Sequence, residues 1–401
     1  MAGRPMWENP LRAPVAYGRL AVPQLFAELQ SPEPEKKLRA LASLQDLLHD
    51  PERLYPTVTK GYVEKMKLLL EDEDPSVRSK TCEVLGLLCT HSLGRQVLLS
   101  SPLLSSLFWL LDDPSSPCRK NVLRVLKLLT LHPSGADALL TLVPKLLLKL
   151  QQQQQQEEGE QISVEEEKKV EVNEEEKVDE ENQQEQREGL KMEQTEEVKD
   201  VKEEEEEEEL LVLSLISCCS RRDALPALSS DAVSVLKPRL THPCTHIRRE
   251  ATAAMMALSV PMAGKHRLCE EAMLPLLVGL LRDEDVHVRT NTVGVIMYTV
   301  ITTAGKLQCL KLNVVSALLD LLTEAPPFKK APRLMEEKER WTRKALVLYS
   351  LRALTSLAEA PEGRRLLMEQ LPLLRRSCEE EEDAEVIRAA HAAIEVVTWT
   401  P

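Results

Sequence analysis

The sequence predicts an all-α protein built from stacked helical repeats, and three observations support this: composition, apolar spacing and an internal period. Aromatic residues make up only 3% of the chain and glycines number 13, whereas leucine and alanine are abundant. Strands draw on aromatic and β-branched residues, so this composition favours helices. A length of 401 residues allows two or three ordinary domains or one elongated array of repeats.

The internal period is about 41 residues. Two landmarks recur at an interval of 41 on both sides of an acidic segment, and the pairs are Arg78 and Arg119, Arg248 and Arg289, Gly94 and Gly135, and Gly264 and Gly305. Two landmarks with one period indicate a true internal repeat. We count about eight units, which start near Val22, Val63, Leu103, Val143, Ala232, Met273, Val314 and Leu371.

Each unit is predicted to be two helices joined by a turn. In the unit at 63–88, apolar residues recur at intervals of three, four and seven on both sides of the turn EDEDPSVR. Such spacing marks one buried face of a helix. A helix pair with a single apolar stripe buries it by stacking on neighbouring pairs, and stacked pairs form a solenoid.

The turn EDEDPSVR at 71–78 raises the alternative of a metal or acid–base site. A calcium loop would need a central glycine and a closing glutamate, and a catalytic pair would occur once, whereas this turn recurs. We therefore expect the acids to cap the following helix and Pro75 to begin it. Arg78 should reach an aspartate of its own or the next repeat, so that the arginines form a ladder.

Other candidate motifs also favour structural roles. His242, Cys244 and His246 lack a second ligand pair at zinc-site spacing, so no metal is predicted. The GK pairs at Gly264 and Gly305 follow no strand and lack the upstream glycine of a phosphate loop. We expect these glycines at the C-terminal ends of helices. No catalytic or cofactor motif occurs, which predicts a protein that is not an enzyme and needs no cofactor.

Partners and compartment are bounded by what the chain lacks. Basic clusters have no interleaved aromatics, which argues against nucleic acid. The longest apolar run, 210–219, is too short for a membrane span, which needs about 20 residues. Nine cysteines without a CxxC pair, and no signal peptide, predict a soluble intracellular protein whose cysteines, such as Cys82 and Cys89, are small core residues. We expect Trp341 and Trp399 to pack at repeat junctions, with a partner anchor as the alternative.

Two insertions interrupt the period, at 151–209 and 325–339. The first holds 26 acidic and 7 basic residues, which leaves 39 acidic and 44 basic residues in the rest of the chain. It contains few apolar residues and no aromatics, so we predict disorder. A lone charged helix is the alternative, because Glu, Gln and Lys favour helix. We expect its deletion to leave the fold stable.

The unit LPLLVGLLRDEDVHVRTNTVGVIMYTVITTAGK at 274–306 resembles an armadillo/HEAT-type repeat. Four further stretches are similar to the radial spoke head 14 homologues, armadillo-repeat proteins of motile cilia and flagella: APVAYGRLAVPQLFAELQS (13–31), LEDEDPSVRSKTCEVLGLLCTHSLGRQ (70–96), LTSLAEAPEGRRLLMEQLP (354–372) and VIRAAHAAIEVVTW (386–399). The long acidic insertion departs from that family's pattern.

The resemblance implies an armadillo/HEAT-like, right-handed superhelical solenoid and a role in the axoneme. The partners implied are radial spoke and axonemal proteins, and the location implied is the cytoplasm and cytoskeleton, at the axoneme of a cilium or flagellum. We expect an N-terminal arm at 1–20, repeats 1–3 and the start of repeat 4 at 21–150, the Glu/Gln-rich insertion at 151–209, and the remaining repeats at 210–401.

The predicted binding surface is the long second helix of each unit, lining a concave face. Its candidate partner-binding residues are Arg78, Lys80, Arg119, Lys120, Arg249, Arg289, Asn291, Arg343 and Lys344. A soluble armadillo-type adaptor of the cytoplasm or nucleus is the alternative function. Adaptors that carry nuclear-import cargo use arrays of Trp and Asn, of which only Asn121 and Asn291 give a hint here.

Overall fold

The computed structural model describes residues 18, 20–156, 159, 184–324, 337–379 and 381–399. All regular secondary structure among these residues is helical, which confirms the predicted all-α class. Almost all of the expected N-terminal arm, and residues 325–336 of the second insertion, lie outside the described part.

The helices follow one another in groups in which a long helix comes after shorter ones. The α-helices are α1 (Ala21–Glu28), α2 (Pro34–Leu48), α3 (Pro51–Thr59), α4 (Lys67–Leu70), α5 (Pro75–Cys89), α6 (Ser92–Ser100), α7 (Leu103–Trp109), α8 (Ser116–Leu129), α9 (Gly135–Leu139), α10 (143–156), α11 (Gln184–Arg222), α12 (Leu225–Leu228), α13 (Ala232–Leu236), α14 (Thr245–Leu258), α15 (Met262–Glu270), α16 (Leu274–Leu280), α17 (Val286–Thr299), α18 (Thr303–Lys311), α19 (Val314–Glu324), α20 (Glu337–Ala358), α21 (Pro361–Met368), α22 (Leu371–Glu379) and α23 (Ala384–Thr398). Short 3-10 segments lie at Val63–Met66, Leu110–Asp112, Leu140–Leu142 and Pro238–Thr241.

Each full repeat therefore has three helices, one more than the sequence predicts. The additional first helix is short, as in α6, α15 and α18. The long helix after the acidic turn is the third of its repeat, and the third helices are α2, α5, α8, α11, α14, α17, α20 and α23. Pro75 begins α5, with Asp74 accepting a hydrogen bond from the N–H of Ser76 at 2.8 Å, as predicted.

The chain divides into unit one, Met1–Cys219, and unit two, Ser220–Pro401. In unit one, third helices pack in succession, α2 on α5 and α5 on α8. In unit two the same succession runs from α14 through α17 and α20 to α23. Fully buried leucines such as Leu44, Leu85 and Leu126 fill the first unit, and Leu351 and Leu354 lie in the core of the second. Cys82 and Cys89 are also buried, as predicted.

The repeated glycines lie near the start of the first helices, so their predicted place at helix C-termini is wrong. Gly264 is the third residue of α15, and an added Cβ there would lie 1.7 Å from the carbonyl oxygen of Leu258, at the end of α14. The same conflict, at 2.3 Å or less, would arise at Gly94, Gly135, Gly305 and Gly363. The first helix turns sharply off the preceding third helix, and only a residue without a side chain fits that junction.

The described ends of the acidic insertion are helical, so the prediction of disorder is wrong there. Residues 151–156 complete α10, and residues 184–209 form the first part of α11. The expected boundaries at 150/151 and 209/210 therefore fall inside helices. Glu, Gln and Lys favour helix, and packing adds to this where Glu208 and Glu209 are buried. Residues 160–183 lie outside the described part.

A search of the described helices for a bilayer-spanning candidate finds none with the necessary length and apolar character.

Candidate functional site on the third-helix face

The turn before several third helices carries a side chain that accepts a hydrogen bond from the backbone N–H two residues later. The acceptor and donor pairs are Asp72 and Asp74 (3.1 Å), Asp113 and Ser115 (2.9 Å), His242 and Cys244 (3.0 Å), and Asp283 and Asp285 (2.9 Å). At 241–249 the ring Nδ1 of His242 does what a carboxylate does elsewhere. Across the described residues, no group of three or more His, Cys, Asp or Glu side chains could hold a metal ion.

An arginine six residues after the acceptor joins consecutive repeats. Its Nε and Nη2 pair with a carboxylate of the next repeat: Arg78 with Asp113 at 2.6 and 3.0 Å, Arg119 with Glu208 at 2.9 and 2.9 Å, and Arg248 with Asp283 at 2.8 and 3.3 Å. Its Nη1 donates to two carbonyls of its own turn, which for Arg78 are those of Asp72 and Glu73. This confirms the predicted arginine ladder, and Lys37 extends it by pairing with Asp72 at 2.5 Å.

Charge and burial make the ladder pairs strong. The side chains of Arg78 and Asp113 are 13% and 3% exposed. Donating hydrogen bonds to Asp113 raises the pKa of the Arg78 guanidinium. Burial alone would raise the pKa of Asp113, but hydrogen bonds from Arg78 and from the N–H of Ser115 bring that pKa below its usual value. Bidentate, charge-assisted pairs of this kind fix geometry as well as adding energy.

The acidic insertion supplies one ladder carboxylate. Glu208 lies in α11, and 89 residues separate it from Arg119, where the other ladder pairs are 35 residues apart. Glu204 and Glu207 of the same helix meet Lys120 at 3.4 and 3.7 Å, and Glu207 also pairs with Arg124. The middle of α11, at 204–208, therefore covers the basic surface of α8, and Lys120 is only 7% exposed.

Four cations lie one residue after the position of the ladder arginine in a third helix. They are Lys120, Arg249, Lys344 and Arg388, and we call them the second row. Arg249 pairs with Asp285 of the next third helix. Lys344 pairs with Asp383 at 2.9 Å and with Glu385 at 3.1 Å. Arg388, in α23, is exposed, and no ion pair joins it to another of the described residues.

Most of the residues predicted to bind a partner are engaged within the chain. Arg78 and Arg119 belong to the ladder, Lys80 pairs with Glu83 in its own helix at 2.6 Å, and Lys120, Arg249 and Lys344 pair as above. Arg289 and Arg343 also interact within the chain. Asn291 donates to the carbonyl of Arg249 at 3.2 Å, and Asn121 donates to Ser79 Oγ at 3.0 Å. Most of these side chains therefore stabilise the contacts between repeats.

A cleft of about 470 Å³ lies on the third-helix face of unit two, between α20 and α23. Its lining residues are Arg352, Thr355, Ser356, Glu385, Arg388, Ala389 and Ala392. Arg352 donates to Glu385 at 3.1 Å and keeps half of its side chain exposed. Small side chains form much of the surface, so a chain passing over it could approach the helices closely.

Three aromatic side chains, Tyr349, Trp341 and Trp399, lie on α20 or at the end of α23. Tyr349 is half-buried one turn before Arg352; burial, reinforced by the nearby Tyr298, raises its pKa. Trp341, at the start of α20, is 69% exposed, and Trp399 is 56% exposed with Arg364 above its ring at 5.4 Å. The expectation that Trp341 and Trp399 pack at repeat junctions is therefore wrong, and both are accessible as anchors.

Comparisons with known proteins agree with this architecture. No family model matches the chain. Among solved structures, an engineered protein of the Northeast Structural Genomics Consortium has 14% sequence identity, a TM-score of 0.54 and coverage of 95% of this chain and 99% of that chain. The fold is an armadillo-like α-solenoid. A designed armadillo repeat protein in complex with the peptide (KR)4 has 17% identity and a TM-score of 0.50, with coverage of 69% of this chain and 99% of that chain.

Sequence reasoning missed Arg352, Arg388 and the cleft between them. Arg388 could have been found from its position, because it occupies the same place in its repeat as the other second-row cations. Arg388 follows the N-cap Asp383 by five residues, and Arg249 likewise follows the N-cap Cys244 by five. The predicted list followed runs of basic residues instead, and Arg388 stands alone in VIRAAHAA.

Proposed function

We propose that this chain is a non-catalytic protein-binding scaffold, and that it serves as a structural or assembly component of the radial spoke in motile cilia or flagella. The observation that carries the binding role is the cleft between α20 and α23, with exposed Arg352 and Arg388 beside small side chains. An open cleft between two helices, lined by charged and small side chains, suits a segment of another protein. The placement in the axoneme is supported by the resemblance of 13–31, 70–96, 354–372 and 386–399 to radial spoke head 14 homologues.

The third-helix face suits this role better in unit two than in unit one. In unit one, the middle of α11 covers Lys120 and Arg124. In unit two, α20 carries Trp341, Lys344 and Arg352 at intervals that place them on one helix face. This face combines exposed aromatic and arginine side chains, the types enriched among residues that dominate binding energy.

The asparagine arrangement supports the scaffold over the adaptor alternative. Import-type adaptors use an array of Trp and Asn on successive third helices. Here the amide groups of Asn121 and Asn291 already bind the preceding third helix. The designed armadillo relative that binds (KR)4 supplies a precedent for peptide binding on this fold, and its partner is basic.

The proposal is tested with a tagged copy in a ciliated cell, followed by detergent extraction. Wild-type protein should remain on the extracted axoneme, and Arg388→Glu should shift to the soluble pool. Arg365→Glu is the matched control, because Arg365 is an exposed arginine of the same unit that lies on α21, away from the cleft. Loss of the wild type to the soluble pool would favour the adaptor, and full retention of Arg388→Glu would exclude the cleft.

A further inference from the structure

We infer that the cleft between α20 and α23 binds an extended acidic segment of a partner protein, whose carboxylates pair with Arg388 and Arg352. This inference rests on the proposed binding function of unit two. Its starting point is the second row, in which Lys120, Arg249 and Lys344 each pair with an acid of the following third helix. Arg388 holds the same position, and the described residues offer it no such acid. A partner carboxylate would complete the row.

The charges around the cleft favour an acidic occupant over a basic one. Glu385 is the one acid in the lining, and both Lys344 and Arg352 already neutralise it, at 3.1 Å each. Arg388 and the exposed half of Arg352 therefore leave the cleft with an excess of positive charge. A guanidinium presents a planar fork that matches a carboxylate, so an acidic side chain gains both charge and geometry there.

The shape of the cleft favours an extended segment. Ser356, Ala389 and Ala392 give the surface between the helices little height. Neighbouring packed helices lie about 8–10 Å apart, and an extended chain advances about 3.3 Å per residue. Arg352 and Arg388 lie on neighbouring helices, so carboxylates about three residues apart in the bound segment could reach one arginine each.

The hydroxyl of Thr355 is committed to its own helix, where it donates to the carbonyl of Leu351 at 2.8 Å. It is therefore less able to donate to a ligand, which leaves the two arginines as the main polar determinants. Binding should weaken as salt rises, because exposed charges are screened within about 10 Å at 0.1 M ionic strength.

Fluorescence anisotropy on the full chain tests the inference. The probe is a labelled peptide with glutamate at every third position in a Gly/Ser background, with lysine and serine versions as matched peptides. We expect the glutamate peptide to bind best, Arg388→Glu to weaken its binding at least about tenfold, as loss of an arginine that dominates an interface does, and Arg365→Glu to leave it unchanged. Circular dichroism should show the same helix content in all three proteins.

The outcomes separate this inference from the proposed function. If the lysine or serine peptide bound as well as the glutamate peptide, or if none bound to the wild type, the acidic-segment inference would be overturned. Release of Arg388→Glu from axonemes would still support the scaffold in that case. If the glutamate peptide bound equally to wild type and Arg388→Glu, the cleft would not be its site.

Discussion

Glycine at the start of a first helix is a steric requirement, and Gly264 shows it most clearly. A methyl group there would lie 1.7 Å from the carbonyl oxygen of Leu258, which belongs to the backbone and cannot rotate away. We expect Gly264→Ala to lower the free energy of unfolding by about 3 kcal/mol, as overpacking a tight site does. Urea unfolding followed by circular dichroism measures it.

Gly279 supplies the matched control. It lies in α16 of the same unit, is exposed, and has nothing within 4 Å of an added Cβ. Gly279→Ala should therefore stabilise the protein by about 0.5–1 kcal/mol, since alanine restricts the unfolded chain and favours helix. Equal effects at both glycines would show that the junction has no special steric demand.

The Arg78–Asp113 pair makes stability depend on acid pH. The folded pKa of Asp113 lies below its usual value, so the pair contributes fully above the unfolded pKa of about 3.9 and is lost as pH falls through the folded value. Asp113→Asn keeps an acceptor for Ser115 but removes the charge. We expect it to cost about 3 kcal/mol at neutral pH, as breaking a largely buried pair does.

The pH test compares urea unfolding of both proteins at neutral pH and below pH ~4. The difference between wild type and Asp113→Asn should shrink in acid, because protonation removes from the wild type what the substitution has already removed. A difference that stays constant with pH would mean that the charge on Asp113 contributes nothing.

For single residues, the sequence predicted an interaction well when the charge of the interacting side chain was evident. The period placed Arg78 and Asp113 in register, and elementary charge complementarity then gave the ladder. The glycines were misplaced because their role depends on the angle between two helices, which no local pattern records. Exposure of Trp341 was also mispredicted, since its burial depends on the neighbouring repeat.

Among the helices, α11 differs most from the expectation, because it joins part of the acidic insertion to the core of unit one. Glu208 is buried and holds Arg119 at 2.9 Å, whereas Glu203 on the same helix is exposed. We expect Glu208→Ala to cost about 3 kcal/mol by leaving a partly buried arginine unpaired. Glu203→Ala should change stability by less than about 0.5 kcal/mol.

Thermal or urea unfolding of the two variants measures the difference, and similar stabilities would contradict a structural role for Glu208.

The same contacts revise the expectation that deletion of the acidic insertion leaves the fold stable. Removing residues through 209 takes away the partners of Arg119, Lys120 and Arg124, so the fold should lose stability. The sequence could identify the insertion by composition, but composition does not show which glutamates touch a neighbouring helix.

For the whole molecule, the division into two units predicts where destabilisation is felt. In stacked repeats each unit contacts mainly its neighbours, so stability is a sum of local terms. Gly264→Ala should raise amide hydrogen exchange across α14 and α17 of unit two and leave α2 and α5 of unit one unchanged. Mass spectrometry after brief labelling measures this, and a uniform rise over both units would indicate a single cooperative block.

The repeat count and helical class could be predicted for the whole chain because period and apolar spacing recur many times. The binding surface could not, because it depends on which charges remain after stacking. Lys120, Arg249, Lys344 and Arg388 hold the same position in their repeats, yet only the first three have acids beside them among the described residues. Only the assembled helices distinguish a structural cation from an available one.

Glu208 pairs with Arg119 although a long insertion separates them in sequence, and this has a practical consequence for engineering. The stack needs a carboxylate at one point in space and places no demand on how many residues precede it, as the separation of 89 residues from Arg119 shows. The segment between α10 and α11 is therefore a natural insertion point for a fluorescent domain or affinity handle. Placed upstream of Glu203, such a graft would leave every described ion pair between repeats intact.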